Sequence, residues 1–266
     1  MTTDAPEPDP AAREASAHLR ADGAHLILSA LDHLRGGVSA DGGSSGSPSL
    51  ARQKENLREW ARGLGLLLNQ SDLPPKVVRG WQEHDVYHDE ATDRYFKVTR
   101  DGVFGFSPGI ELALVSSSQD ARRFQLWEAS PIEYLERLLL QNELVPGLNQ
   151  LEGLIDQGDD LAIVTSQPRF DIVAVTQEEI DAWFVAQGFE KVTASGYYRA
   201  EDNLGVFDAH SKNLVRFEDT LIPFDVIPCR PDGGFLQFIA DTLAAGHTVS
   251  AVRTVTTSKI KMKDEL

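Results

Sequence analysis

The order of strand-like and helix-like segments most constrains the fold of this chain. The segment "KVVRGWQEHDVYHDEATDRYFKVTRDGVFGF" is β-branched and aromatic, and "DEATD" makes a natural turn inside it, so we predict three short antiparallel strands. A helix follows in "SPIEYLERLLLQNEL", where Ser130 and Glu133 form a capping box and Pro131 fits the first turn. Strands that come as a block, not in alternation with helices, predict an α+β fold.

The second half of the chain mixes short strands with two further helices. "DLAIVTSQP" is typical of a short buried strand that ends at Pro168. "TQEEIDAWFVAQGF" predicts a helix, because Thr176 and Glu179 form another capping box and Gly188 supplies a C-terminal stop. Strand-like segments follow in "SGYYRA", "NLGVFDAHSKNLVRF" and "LIPFDVI", and "GFLQFIADTLAAG" predicts a last helix.

The first 75 residues precede this β-rich block. We predict a disordered tail, a short helix and a Gly/Ser linker over residues 1–50, followed over residues 51–75 by a helix that packs on the domain. The short helix has a predicted apolar stripe formed by Leu26, Leu28, Leu31 and Leu34. The second helix has apolar residues near helical spacing at Leu57, Trp60, Leu64 and Leu67. A tethered amphipathic helix could bind a partner, and this is the alternative to a loosely docked tail.

Composition excludes several classes of function. The net charge of −16 repels phosphates at long range, so we expect neither nucleic acid nor an anionic membrane as partner. A single cysteine, Cys229, allows no internal disulfide and favours a reducing, cytoplasmic setting. We see no transmembrane run and no signal peptide, and without one the terminal "KDEL" is expected to be chance.

The segment "VFDAHSKNLVRFEDTLIPFDVIP" carries the residues best suited to chemistry. Asp208 and Asn213 lie five apart between two β segments, and Asp225 follows near the end of another strand. One aspartate can accept a proton from a hydroxyl, while the amide and the other carboxylate hold Mg²⁺ and its bound phosphates, as phosphoryl transfer requires. The alternative is that Asp208 and Asn213 are simply turn residues.

A lysine that grips phosphates is also needed, and Lys97 in "RYFKVT" is the candidate. A strand lysine among apolar neighbours is expected to pair with a carboxylate. On the following helix we choose Glu136, with Glu133 and Glu143 as alternatives. The competing interpretation is that Lys97 extends its ammonium group to solvent.

The pattern D-x-H-x-x-N in "DAHSKN", followed by an apolar-flanked aspartate in "PFDVI", resembles the protein-kinase-like superfamily in its aminoglycoside-phosphotransferase style. The longer string is more similar to the kinase domain of polyvalent proteins of phages and mobile elements, and the resemblance runs over residues 55–245. It implies a reduced two-lobed protein-kinase-like fold with a small C-lobe and N-terminal helices, in a bacterial or phage setting.

Carried over to this sequence, the family pattern assigns a role to each candidate residue. It makes Lys97 the lysine that contacts the phosphates of ATP, and Asp208 the catalytic base or hydroxyl-orienting residue. Asn213 and Asp225 become the Mg²⁺ ligands, and His210 lies where a histidine commonly stabilises the catalytic loop. The resemblance further implies a hinge in "VTSQP", where the backbone groups of Thr165, Ser166 and Gln167 would face an adenine.

The predicted N-lobe spans residues 76–165, the reduced C-lobe spans 166–250, and 251–266 form a tail. The chain lacks G-x-G-x-x-G, H-R-D, D-F-G and A-P-E, and only about forty residues follow Asp225. The helix that usually precedes the catalytic loop is replaced by a predicted hairpin, "YYRAEDNLGVF". We therefore predict an ATP- and Mg²⁺-dependent phosphotransferase with an unknown acceptor. The alternatives are a pseudokinase-type binding module and an AMP-transferring enzyme.

Overall fold

A computed structural model of the chain describes residues 25–36, 48–78, 83–100, 102–113, 121–171 and 173–246. The predicted tails and most of the predicted Gly/Ser linker lie outside these residues. The chain divides into two compact units, each made of two segments: unit 1 comprises Met1–Gly105 and Ser130–Asp171, and unit 2 comprises Phe106–Ala129 and Ile172–Leu266. Each unit has its own sheet and its own core.

The described part of unit 1 contains three helices and five strands. In chain order they are α1 (25–36), α2 (Leu50–Leu64), β1 (Lys76–Val78), β2 (His84–Asp89), β3 (Arg94–Thr99), α3 (Pro131–Leu144), β6 (Gln150–Asp156) and β7 (Leu161–Pro168). A 3₁₀ turn, Gln70–Asp72, lies between α2 and β1. The strands form one antiparallel sheet in the order β1-β2-β3-β7-β6, so β7 lies between β3 and β6.

The three helices of unit 1 share one core with one face of its sheet. This core contains buried apolar residues of every helix and of β6 and β7: among them Ile27, Leu31, Leu57, Trp60, Leu135, Leu151 and Ile163. The other face of the sheet has a smaller core around Tyr87, Val98 and Val164. The N-terminal helices are therefore part of the main core of unit 1, which extends beyond the predicted N-lobe of residues 76–165.

The predicted apolar stripe of α1 is only partly right. Ile27, Ala30, Leu31 and Leu34 are fully buried, whereas Leu28 is 49% exposed. Successive residues of a helix are separated by about 100° around its axis, so Leu28 lies about 100° from Ile27 and off the buried face. Since this face is covered within unit 1, a partner of α1 would have to bind another face, and such a partner stays a prediction.

Helix α2 is shorter than its predicted apolar stripe. Gly65 adopts φ 70° and its N–H bonds the last carbonyls of α2, which ends the helix at Leu64. Leu64 is consequently 54% exposed, and Leu67 lies beyond the helix in a parallel bridge with Leu154 of β6.

The described part of unit 2 is built from short strands and two helices. In chain order they are β4 (Phe106–Ala113), β5 (Ala121–Glu128), α4 (Gln177–Ala186), β8 (Glu190–Thr193), β9 (Gly196–Arg199), β10 (Leu204–Phe207), β11 (Leu214–Phe217), β12 (Thr220–Pro223), β13 (Ile227–Cys229) and α5 (Gly233–Ala244). One sheet has the order β13-β10-β9-β8, and β11 with β12 and β4 with β5 form separate antiparallel hairpins. The core contains Phe124, Val192, Phe207, Phe238 and Ile239.

Several local predictions hold in the structure. Ser130 and Glu133 cap α3, and Thr176 and Glu179 cap α4, each as a reciprocal capping box. The predicted hairpin in "YYRAEDNLGVF" is the antiparallel pair β9-β10. The strands β4, β5, β6 and β8 were not predicted, and the hairpin β4-β5 belongs to unit 2 although its sequence lies within the predicted N-lobe.

Candidate active site

The candidate catalytic residues of unit 2 lie on the connection between β10 and β11. All four residues of β10 are buried, and the chain turns immediately afterwards at Asp208, which adopts a left-handed φ of 56°. The Ala209 N–H donates to the Ser195 carbonyl at 2.8 Å, and the Asn213 N–H donates to the His210 carbonyl at 2.8 Å. These backbone bonds hold the connection in one folded shape, because they satisfy its polar groups internally.

Asn213 fixes the position of Asp208. Its side-chain amide donates to the Asp208 backbone oxygen at 2.8 Å and to the Asp208 carboxylate Oδ2 at 2.9 Å. Asn213 is 9% exposed, so these bonds are shielded from competition with water. Its amide nitrogen is occupied by Asp208, which leaves the carboxamide oxygen as the group available to a cation.

The His210 ring lies next to Oδ1, the other oxygen of the Asp208 carboxylate. Its Nδ1 accepts the backbone N–H of Lys212 at 3.2 Å, and its Nε2 lies 3.5 Å from Asp208 Oδ1. Since a ring nitrogen that accepts cannot carry the proton, a neutral His210 has its N–H at Nε2, on the side of Asp208. An N–H group therefore lies close to each oxygen of the Asp208 carboxylate.

Asp225 lies between β12 and β13, and its backbone N–H donates to the Asn213 carbonyl at 3.3 Å. The fold thus brings the backbone of Asp225 next to that of Asn213, whose side chain binds Asp208. Carboxylate and amide oxygens are ligands that Mg²⁺ accepts, and this ion keeps several waters and needs only one or two protein carboxylates. The described residues contain no cluster of three or more His, Cys, Asp or Glu suited to a metal, and a Mg²⁺ site of this kind requires none.

A polar network supports this connection from α4 and β9. Gln177 at the start of α4 donates to the Tyr197 hydroxyl at 2.9 Å and to the Ala209 carbonyl at 3.4 Å. The Tyr197 hydroxyl in turn donates to Asp181 Oδ1 at 2.5 Å, and Lys191 pairs with the other oxygen of Asp181. The network therefore links the ion pair of Lys191 and Asp181 to the backbone carbonyl of Ala209, the residue after Asp208.

The pKa values in this network follow from its contacts. Burial by itself would raise the pKa of Asp181, but hydrogen bonds from Lys191, Tyr197 and Gln177 outweigh burial and lower it. Burial, followed by the hydrogen bond to Asp181, raises the pKa of Tyr197 far above its usual value. Asp181 is therefore ionised and Tyr197 protonated at neutral pH. No sequence motif predicted Gln177 or Tyr197, since only the fold brings Gln177 to Ala209 and Tyr197 to Gln177.

The other predicted residues belong to unit 1. Lys97 in β3 is directly opposite Thr165 in β7, which is opposite Leu151 in β6. Residues directly opposite in an antiparallel sheet share a face, and Leu151 belongs to the core that contains α3. Lys97 therefore lies on the α3 side of the sheet.

The carboxylates of α3 have individual partners. Glu136 Oε1 accepts from Arg35 of α1 at 2.6 Å, which is not the partner predicted for it, and both side chains are exposed. Glu133 belongs to the capping box of α3. The proposed part of Glu136 in nucleotide binding stays a prediction, and the structure gives Glu136 a link between α1 and α3.

The predicted hinge residues lie inside β7. Thr165 and Ser166 pair with β3 on one side and with β6 on the other, and Gln167 pairs with Tyr95 of β3. All three are at most 5% exposed. The backbone of Thr165 and Ser166 thus faces neighbouring strands, and β7 extends to Pro168. The role of these residues as a hinge that faces an adenine stays a prediction.

Comparison with known proteins agrees with this architecture. Residues 115–228 match the family model described as "Serine/Threonine/Tyrosine Kinase found in polyvalent proteins". These residues are therefore similar to the kinase domain of polyvalent proteins, and the mixed α+β structure of the described residues is compatible with a reduced kinase-like fold. The matched region contains Asp208, His210, Asn213 and Asp225, whereas Lys97 precedes it. No protein of curated function and no solved structure matches the chain. No helix among the described residues has the length and apolar character needed to span a membrane.

Proposed function

We propose that this protein is an ATP- and Mg²⁺-dependent phosphotransferase that acts on a hydroxyl group of a protein or of a small molecule. The observation that carries the proposal is the arrangement around Asn213, whose amide positions the Asp208 carboxylate and whose backbone oxygen binds Asp225. It supplies a positioned carboxylate in a segment that also contains two residues with oxygen ligands, Asn213 and Asp225, and phosphoryl transfer requires groups of both kinds. The family match over residues 115–228 supports the same reaction class.

In this proposal Asp208 orients the acceptor hydroxyl and takes its proton. The hydroxyl oxygen then bonds to the γ-phosphorus while the bond from that phosphorus to the β,γ-bridging oxygen breaks, and ADP leaves. The two N–H groups next to Asp208, from Asn213 and His210, keep the carboxylate in one orientation. Orientation of this kind accounts for a large share of the rate in reactions between two bound groups.

Asn213 and Asp225 would hold Mg²⁺ through the carboxamide oxygen and the carboxylate. Bound in this way, the ion neutralises the charge of the phosphates. The sequence resemblance gives Lys97 the role of contacting the phosphates of ATP. Within unit 1 this assignment is supported by the position of Lys97 on the α3 side of the sheet.

Thermal unfolding with and without ATP and Mg²⁺ tests the nucleotide site. Nucleotide at a hundred times its dissociation constant should raise the free energy of unfolding of the wild type by about 2.7 kcal/mol. Asp225→Asn should lose this increase, while Asp219→Asn should keep it, because Asp219 is an exposed turn residue of the same unit and carries the same charge. Absence of any magnesium-dependent increase in the wild type would overturn the proposal and favour the pseudokinase-type binding module.

The position of the label on ATP distinguishes the two enzymatic alternatives. Transfer of label from γ-labelled ATP to an acceptor, lost in Asp208→Asn, is the expected result. Transfer from α-labelled ATP would instead identify an AMP-transferring enzyme on the same fold. Binding of ATP without transfer of either label to any acceptor tested would support the binding module.

A further inference from the structure

Ala209, the residue after the candidate catalytic base, is held through both of its backbone polar groups. Its N–H donates to the Ser195 carbonyl at 2.8 Å, in the turn between β8 and β9. This turn packs tightly against β10, because a Cβ at Gly196 would lie only 2.6 Å from a ring carbon of Phe207. The Ala209 carbonyl accepts from the side chain of Gln177 at 3.4 Å. Since Ala209 is fully buried, protein groups and not solvent satisfy its backbone.

The carboxamide of Gln177 can face Ala209 only with its nitrogen. Three oxygens surround that nitrogen: the Tyr197 hydroxyl at 2.9 Å, Asp181 Oδ1 at 3.1 Å and the Ala209 carbonyl at 3.4 Å. The carboxylate and the carbonyl have no proton to donate, and the hydroxyl donates its proton to Asp181. An inverted carboxamide would place its oxygen against three acceptors. Asp181 and Tyr197 therefore fix Gln177 as a donor that points at Ala209.

We propose that Gln177 is a positioning residue for phosphoryl transfer, which holds Ala209 and, through it, the Asp208 carboxylate; this inference rests on the proposed function. Asn213 holds the carboxylate itself, and Gln177 holds the backbone that carries it. At 3.4 Å the contact with Ala209 is long for a hydrogen bond, so it contributes little to the free energy of unfolding. Its effect on the reaction is larger, because a misplacement of about 1 Å can slow a reaction about a hundredfold.

Gln177→Met tests this role, because it keeps the length of the side chain and removes the donor. Gln237→Met is the matched control: Gln237 also lies on a helix of unit 2 and also donates to an aspartate four residues later, Asp241, but it is exposed and belongs to α5. Water can serve as the acceptor, so the rate is measured as release of labelled phosphate from γ-labelled ATP with Mg²⁺. The water oxygen bonds to the γ-phosphorus as ADP leaves, and Asp208 takes the proton.

We expect Gln177→Met to lower kcat and kcat/KM for ATP together by about tenfold, because Gln177 acts on the placement of the base and not on nucleotide binding. Gln237→Met should keep both values. A higher KM with unchanged kcat in Gln177→Met, or wild-type values in both variants, would overturn the role of Gln177. A wild type that does not bind ATP with Mg²⁺ overturns the proposed function as well.

Amide hydrogen exchange in the unliganded protein gives a readout that needs no reaction. The Ala209 N–H should exchange faster in Gln177→Met than in the wild type, while the amides of β10, which lies between β9 and β13, keep their protection. Faster exchange throughout unit 2 would show a merely structural role and overturn the inference. If the wild type binds ATP without cleaving it, exchange at Ala209 decides: a selective increase supports the positioning role, and an unchanged rate overturns it.

Discussion

Arg137 and Glu83 form an ion pair of 2.8 Å in which the arginine side chain is only 5% exposed and the glutamate 17%. The pair connects α3 to the residue that precedes β2, and His84 beside it contacts the hydroxyl of Tyr134 on the same helix at 2.8 Å. Helix α3 is therefore anchored to the sheet by polar contacts on one side and by its apolar residues in the core. Breaking a buried ion pair of this kind destabilises the folded state, because the charge that remains is poorly solvated.

We predict that Arg137→Met lowers the free energy of unfolding by about 3 kcal/mol or more, since it removes the guanidinium that pairs with the largely buried Glu83 carboxylate. Arg35→Met is the matched control, because Arg35 also pairs with a glutamate but its side chain is 54% exposed. The free energy of unfolding of that variant should fall by at most about 1 kcal/mol. Equal losses in denaturant unfolding would contradict the importance of burial at Arg137.

The backbone of Asp208 leads to a second prediction. Its left-handed φ of 56° is tolerated by asparagine but strongly disfavoured for β-branched residues. Asp208→Asn keeps an oxygen for the Asn213 amide, so its free energy of unfolding should stay within about 1 kcal/mol of the wild type. For Asp208→Val the free energy of unfolding should fall by about 2 kcal/mol or more, because the left-handed backbone is strained and the Asn213 amide loses the carboxylate it donates to. Both variants should lose phosphotransfer, and denaturant titrations of equal midpoint would refute the backbone argument.

Asp181 makes the stability of unit 2 depend on pH. Because its pKa is lower in the folded than in the unfolded chain, the folded state binds the proton less readily, and the stabilisation is complete above about pH 4. It is lost as the pH falls through the folded pKa. The difference in free energy of unfolding between wild type and Asp181→Asn should therefore be constant near neutrality and shrink below about pH 4. A difference that does not change between pH 6 and pH 3 would show that Asp181 has no such role.

Helix α1 provides a fourth prediction. Leu31 is fully buried in the core of unit 1, so Leu31→Ala should lower the free energy of unfolding by about 2–5 kcal/mol. Leu28 on the same helix is 49% exposed, and Leu28→Ala should change it by at most about 0.5 kcal/mol. If both variants unfolded like the wild type, α1 would be a docked tail, as the sequence alone allowed.

Local signals accounted for the elements that the sequence predicted well. The capping boxes of α3 and α4 each involve residues three apart, so the sequence displays the whole interaction. The grouping of Asp208 with Asn213 is also local, because one short connection contains both. The approach of Asp225 to Asn213 depends on the pairing of β11 with β12 and of β10 with β13, which only an assumed family pattern could supply.

Interactions between distant segments could not be predicted in this way. Glu136 pairs with Arg35, which lies 101 residues earlier in the chain, and helical spacing gives no hint of that partner. Gln177 contacts Ala209 across 32 residues through an ordinary helix-capping segment. The surroundings of Thr165 are a further example. Strand β7 lies between two other strands, and this position depends on β6, which the sequence did not reveal.

The interleaving of the two units has a consequence for synthesis of the chain on the ribosome. The hairpin β4-β5 of unit 2 emerges before α3, β6 and β7, so unit 1 can close its sheet only after a piece of the other unit has appeared. That hairpin must then wait until β13 and α5, near the end of the described chain, provide the rest of its core. Until those segments have been synthesised, Phe124 and its apolar neighbours lack their packing partners, which makes the nascent hairpin prone to aggregation.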